Sequence, residues 1–169
     1  MPMTGALQKA MNDQIQKEFY ASYLYLAMSA WFEERNYAGF AKWMRIQADE
    51  ERGHAMRLYD FVLDRGGRVT LEGIPEPSTK WKSALEVFDA AHKHEEMVST
   101  SINALYTRAV AEKDYAAQVM LQWFITEQVE EEKTSTALAE QLRRVGDSAT
   151  GLIILDRQFG ERTSERGKD

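Results

Sequence analysis

The chain of 169 residues contains no cysteine. That absence excludes disulfide frameworks, thiolate metal sites and cysteine nucleophiles together. Proline is scarce as well: there are three, and two of them, Pro75 and Pro77, share one short stretch. With few breakers and few β-branched runs, long helices are expected and a sheet is not. No run approaches the ~18 apolar residues of a membrane span. The first twenty residues, with Lys9 and Asp13 among apolar positions, lack the pattern of a secretory leader. The expectation is a cytoplasmic protein with no membrane partner. Blocks of basic residues are missing too, and the net charge of -6 argues against nucleic acid as a partner, because phosphate binding needs a basic surface.

The material present is that of an ordinary globular protein, 44% apolar and 28% charged, with four Trp, seven Tyr and seven Phe for a core. The length favours one domain over residues 1–169. A first helix is expected over about 4–35, with an apolar stripe through Leu7, Met11, Ile15, Phe19, Leu26 and Ala30, and Tyr20, Tyr23 and Leu24 beside it. Asn36-Tyr37 makes a short break. A second helix follows over about 37–65 and stops at the left-handed signal Gly66-Gly67. So short a first connection makes the two helices antiparallel neighbours. The stretch 67–79 has no helical period and is too long for a simple turn, which suggests a crossover running the length of a bundle. A third helix is placed over about 79–111 with Ser78-Thr79 as its cap, and a fourth over about 114–145 capped by Asp114 and ended by Gly146. A short fifth helix, capped by Asp147 or Ser148, covers about 148–159, and a charged tail over 160–169 is expected to be loose. The fold class is all-α: a four-helix bundle with one long crossover and a short C-terminal helix.

Acids fall in the middle of every long helix. Glu51 and His54 stand three residues apart and share a face of the second helix. A carboxylate and an imidazole at that spacing can grip one metal ion. Glu18 lies in the apolar stretch from Ile15 to Leu26, with Tyr25 two turns along on the same face. Glu95 sits among Phe88, Ala91, Val98 and Ile102, and Gln128 and Glu131 follow an apolar run on the fourth helix. Ionised carboxylates are almost never buried unless paired or metal-bound. A bundle that brings one Glu from each of two helices, and Glu-x-x-His from the other two, holds two metals; here the fourth helix has Gln-x-x-Glu instead. One metal would then see Glu18, Glu51 and His54. The other would see Glu51 as a bridge, Glu95 and Glu131, with Gln128 as a water-holding or outer group. Four carboxylates balance two divalent cations, and oxygen-rich ligands with one imidazole suit Fe or Mn. Glu50, Glu127 and Glu130 each precede one of the polar positions by one residue, so they turn to an adjacent face and form an expected third, all-oxygen site. His92 and His94 are read as surface or outer groups.

With those residues in hand, the chain resembles the bacterial non-haem ferritins. The resemblance runs to about Phe159 and rests on Lys17-Glu18-Phe19-Tyr20, Glu50-Glu51-Arg52-Gly53-His54, Lys93-His94-Glu95 and the segment from Leu121 to Lys133. It implies ferritin-like topology and a homo-oligomeric hollow shell of twenty-four subunits that oxidises Fe(II) with O2 or H2O2 and stores ferric mineral. It implies a ferroxidase di-iron site of Glu18, Glu51, His54, Glu95 and Glu131, a third iron at Glu50, Glu127 and Glu130, and electron transfer helped by Tyr25. Bacterioferritins bind haem through a Met between the Glu and the His of the second helix. Arg52 stands there, so no haem is expected. Where animal ferritins line a threefold channel with carboxylates, this chain has Gln118 and Leu121. The competing reading is a non-storage di-iron peroxidase or oxidase of the rubrerythrin kind, whose usual Cys-rich domain this chain lacks.

Overall fold

The computed structural model describes residues 2–164. It contains five helices among them: α1 (Gly5–Glu33), α2 (Ala38–Asp64), α3 (Ala84–Ala111), α4 (Tyr115–Val145) and α5 (Ala149–Phe159). Four of the five starts have a local side-chain cause; α2, which follows Tyr37, has no side-chain cap. Thr4, Ser83, Asp114 and Ser148 turn a side-chain oxygen to the backbone N–H of Leu7, Glu86, Ala117 and Gly151, satisfying a donor that the helix cannot. Asp114 also receives both guanidinium nitrogens of Arg65 at 2.9 Å, which ties the end of α2 to the start of α4. The stops are backbone events: Asn36, Gly66, Lys113 and Gly146 all have positive φ and reverse the chain.

Two placements differ from those expected. α3 starts at Ala84, five residues later than residue 79. Ser83 with Glu86 is the stronger cap, since Ser83 accepts from Glu86 N and Glu86 accepts from Lys82 N. Trp81 is buried ahead of it as the last residue of the crossover to join the core. On α1 the stripe drifts: Leu7, Met11 and Ile15 are buried, but Leu26 and Tyr23 are about half exposed, and Ala21, Leu24, Tyr25 and Met28 face inward instead. A four-residue step overshoots the 3.6-residue turn by about 40° each time, so the stripe walks off the buried face.

α1 lies along α2, α3 along α4, and the crossover over residues 65–83 makes α2 and α3 run in the same direction. The crossover is hydrogen-bonded to a polar stripe on α1. Gln8 accepts from Arg68 N, Asn12 accepts from Thr70 N and donates to Arg68 O, and Gln16 donates to Gly73 O. Apolar side chains form two clusters. One holds Leu7, Met11, Ile15, Leu58, Val62, Ile102 and Leu121 at one end of the bundle. The other holds Phe32, Phe40, Trp43, Phe88 and Phe159 at the opposite end. α5 closes that second end. Asp156 accepts from Phe40 N at 2.8 Å, and a Cβ on Gly39 would sit 1.7 Å from Asp156 O, so only glycine allows the approach. Leu121 is fully buried within the first cluster.

The tail does not begin loose at 160. Gly160 O accepts from Lys42 Nζ, and the Arg162 side chain is held by Gln47 and Glu50. Residues 165–169 lie outside the described residues. No helix among the described residues is long and apolar enough to cross a membrane.

Candidate metal centre

Between the two apolar clusters the bundle has a polar waist. α2 turns Glu51 and His54 to one face, with His54 Nδ1 3.2 Å from Glu51 Oε2. α1 brings Glu18, α3 Glu95 and α4 Glu131 to the same level, all buried. Among the described residues, two trios place one ligand atom from each member within 4.8 Å: Glu18, Glu51 and His54, and Glu51, Glu95 and Glu131. Glu51 belongs to both. The chemistry of the set fits a hard or borderline divalent cation such as iron, with carboxylate oxygens and a single imidazole. Glu18 Oε2 is buried and has no hydrogen-bonding partner among the described residues. An ionised, acceptor-only oxygen in that position calls for a proton or a cation.

The protonation pattern is that of a site waiting for positive charge. Burial, and then the neighbouring Glu51 charge, push Glu18 and Glu131 up to about 8 and hold Glu95 well above the carboxylate range. Burial alone would lower His54, yet the charge and hydrogen bond of Glu51 raise it to about 10. Glu51 goes the other way, because His54 outweighs its burial. Protons thus stand where cations would, and metal binding must release them.

Amides and a phenol hold the ligands from outside. Gln14 Nε2 donates to Glu18 Oε1 at 2.7 Å. Gln47 Nε2 donates to Glu51 Oε1 at 3.0 Å and to Glu131 Oε2 at 2.9 Å, joining α2 to α4. Gln128 Nε2 lies 3.2 Å from Glu95 Oε2 and 3.2 Å from Ser99 Oγ. Tyr25 OH donates to Glu95 Oε1, and burial followed by the Glu95 charge raises that phenol well above its ordinary range. Trp123 and Phe124 meet the His54 ring edge-on at 5.4 and 5.9 Å, fixing its plane. Glu127 Oε1 lies 4.0 Å from His54 Nε2, on the far side of the imidazole from Glu51.

Glu50, Glu127 and Glu130 are not brought together as a third such trio. Glu50 Oε2 accepts instead from Arg162 at 2.6 Å, and Glu130 is exposed. His92 bonds Ser135, while His94 is largely buried against Tyr20 and lowered by that burial.

Sequence reasoning missed Gln14, Gln47 and Arg162. The first two carried a signal: Gln14-x-x-x-Glu18 and Gln47-x-x-x-Glu51 repeat the same one-turn spacing, which puts an amide beside each ligand carboxylate. Arg162 carried none, because its partners lie more than a hundred residues away in the chain.

A four-helix bundle with one long crossover, whose waist gathers four buried glutamates and a histidine around a shared carboxylate, defines the ferritin-like class of proteins. A ferritin-like domain model matches residues 8–145. The chain is 43% identical to a bacterial non-heme ferritin of Bacteroides fragilis, over 92% of its own length and 97% of the relative's. It is 36% identical to a probable bacterial non-heme ferritin-like protein of Haemophilus influenzae, over 90% and 92% of the two chains. An open-pore ferritin from Archaeoglobus fulgidus superposes with a TM-score of 0.95 at 40% identity, covering 96% of this chain and all of the other. The chain belongs to the ferritin family.

Proposed function

We propose that the protein is an iron-storage ferritin and a ferroxidase. Fe(II) is the substrate and O2 or H2O2 the oxidant; the ferric product is stored as mineral within a hollow homo-oligomeric shell, for which we adopt twenty-four subunits. The observation that carries the reading is the shared Glu51 between two buried trios, where four carboxylates match the charge of two divalent cations. Glu18, Glu51 and His54 hold one Fe(II), and Glu51, Glu95 and Glu131 hold the other. Two Fe(II) so placed give up one electron each to a single oxidant molecule, a two-electron step that one isolated Fe(II) does not supply.

The chain's own residues prepare that step. Gln14 and Gln47 fix the carboxylate planes, Trp123 and Phe124 fix the imidazole, and Glu127 beside Nε2 favours the tautomer that leaves Nδ1 free to ligate. Tyr25, bonded to Glu95, is placed to supply a further electron with its proton. Gln128 steadies Glu95 and any water bound there. Glu50, Glu127 and Glu130, apart in the metal-free chain, are the carboxylates that a third iron would draw together on its way to the cavity. The exposed Tyr23 and Leu26 of α1, with Leu71 and Ile74 of the crossover, supply apolar surface for contacts between subunits.

The test is addition of Fe(II) to the apoprotein in air, with ferric absorbance followed as the iron-to-chain ratio rises. A fast phase that saturates near ~2 or ~3 Fe per chain, the number the ligand count supports, followed by slow uptake into a soluble particle, establishes ferroxidase and store. Fast oxidation that stops there without soluble mineral favours a di-iron peroxidase or oxidase. No protein-dependent oxidation overturns both.

A further inference from the structure

Past α5 the chain turns back on the bundle. Arg162 lays its guanidinium 4.4 Å from the centre of the Trp43 ring and donates to two side chains of α2 at once. Nη2 meets Glu50 Oε2 at 2.6 Å, and Nη1 meets Gln47 Oε1 at 2.8 Å. Its side chain is about one-fifth exposed, as is that of Glu50. The second bond matters because of what Gln47 does next. With its carbonyl oxygen held by Arg162, the amide must turn its NH2 inward, where it donates to both Glu51 and Glu131. A guanidinium has five donors and accepts nothing, so it fixes the sense of that amide without ambiguity. Gln47 thereby joins the Arg162–Glu50 pair to the Glu51–Glu95–Glu131 trio.

We propose that Arg162 is a displaceable cation plug: it occupies the carboxylate of Glu50, the place where a third metal would bind, and through Gln47 it holds the neighbouring trio in its ligating geometry. This rests on the reading of the waist as a two-metal centre. While Arg162 is in place the subunit loads two cations tightly. A cation moving from the second trio toward Glu50 has to displace the guanidinium and free the Gln47 amide to turn. The anchoring is strong enough to compete yet reversible, since the pair is partly solvated. A positive side chain already seated on Glu50 also accounts for the failure of Glu50, Glu127 and Glu130 to converge.

The test is titration of the intact, iron-free protein with Co(II) under anaerobic conditions, read by calorimetry for stoichiometry and by Co(II) absorption bands for geometry. Wild type is expected to bind two Co(II) per chain tightly, with a third about tenfold or more weaker than in the variant, the cost of breaking charge-assisted hydrogen bonds. Arg162→Ala is expected to bind three tightly and to change the absorption bands of the second ion, because Gln47 is no longer oriented. Arg162→Lys, which keeps the charge and loses the fork, is expected to fall between. Adding Glu50→Gln to Arg162→Ala is expected to remove the third ion again. Equal binding of a third Co(II) by wild type and Arg162→Ala overturns the proposal, as does a third ion in Arg162→Ala that survives Glu50→Gln. Wild type that binds no Co(II) at all overturns the two-metal reading itself, an outcome distinct from either.

Discussion

Phe88 and Glu95 stand seven residues apart on the inner face of α3, and both are almost completely buried. Phe88 is ringed by Phe32, Phe40, Trp43 and Phe159, with centroids 5.5 to 5.7 Å away. Glu95 is ringed by Tyr25, Gln128, Glu51 and Glu131. The first environment stabilises the fold by removing apolar surface from water. The second opposes folding of the metal-free chain, because carboxyls placed there must hold protons well above their ordinary range. The bundle therefore keeps its stability at the two ends and its chemistry at the waist. Substitutions should separate the two.

The largest effect on stability is expected at the end. Phe88→Ala removes the ring that meets Phe32, Phe40, Trp43 and Phe159 at once, and should cost about 3–5 kcal/mol. Calorimetry of the metal-free protein would show the loss, and the subunits that remain folded should still oxidise Fe(II) quickly. A comparable loss of stability from a single substitution at the waist would break the contrast.

At the waist the expected change is in chemistry. Glu18→Ala combined with His54→Ala empties one trio of two of its three ligands. Fast Fe(II) oxidation should fall at least about a hundredfold, near 2.7 kcal/mol on the barrier, while the assembled protein keeps its size in light scattering. An unchanged oxidation rate would sink the assignment of the trio. Glu18→Gln alone should lose metal affinity but raise the melting temperature of the metal-free protein, since it replaces a buried titrating group with a neutral one of the same shape.

Acidity sharpens the contrast further. Glu18 and Glu131 are held at about 8, above the ordinary 4.5, so their protonated forms favour folding. That contribution is complete below about 4.5 and is lost as pH rises toward 8. His54, at about 10 against an ordinary 6.5, likewise favours folding at low pH and loses its contribution as pH rises through 10. Glu51 is lowered and acts in the opposite sense, contributing above its ordinary value and failing as pH falls. Raised groups outnumber the lowered one, so the melting temperature of chelator-treated protein should fall by a few degrees between pH 5.5 and 8. Bound divalent metal replaces those protons, and the rise in melting temperature that it brings should grow over the same interval. A metal-free melting temperature that climbs from pH 5.5 to 8 would contradict the protonation pattern. Glu18→Gln should flatten the slope.

How much of this was legible depended on how local each cause is. Asp114, Gly66 and Gly146 announce helix ends through their own backbone chemistry, and all three function at those ends. Glu18, Glu51, His54, Glu95 and Glu131 stood out because acids inside apolar runs conflict with their surroundings. Ser78-Thr79 is a local cap signal that the chain does not use: α3 starts after Ser83, once Trp81 has entered the core, which no local pattern states. Polar residues that serve distant partners were not legible at all. Gln8, Asn12 and Gln16 gain their partners only when the crossover is laid along them, and Arg162 reads as tail until the chain folds back.

The smallest effects belong to the amides behind the ligands, and they divide the waist itself. Gln14 supports one carboxylate, Glu18, whereas Gln47 supports two, Glu51 and Glu131. Replacing either by Leu keeps the volume and removes the donor. The deprived carboxylate then binds its proton more tightly, and a metal must compete for it. Removing outer support of this kind costs about 10–100-fold in metal affinity. Gln47→Leu should approach the upper part of that range, because Glu51 is shared and its weakening reaches both trios. Gln14→Leu should stay near the lower part and be confined to the trio that contains Glu18. Titrating both variants with Zn(II) and comparing the two tight phases with those of wild type measures the difference. A larger loss from Gln14→Leu would mean that the trio containing Glu18, with its bare buried oxygen, sets the affinity of the whole centre, and that the shared carboxylate is the less sensitive of its two anchors.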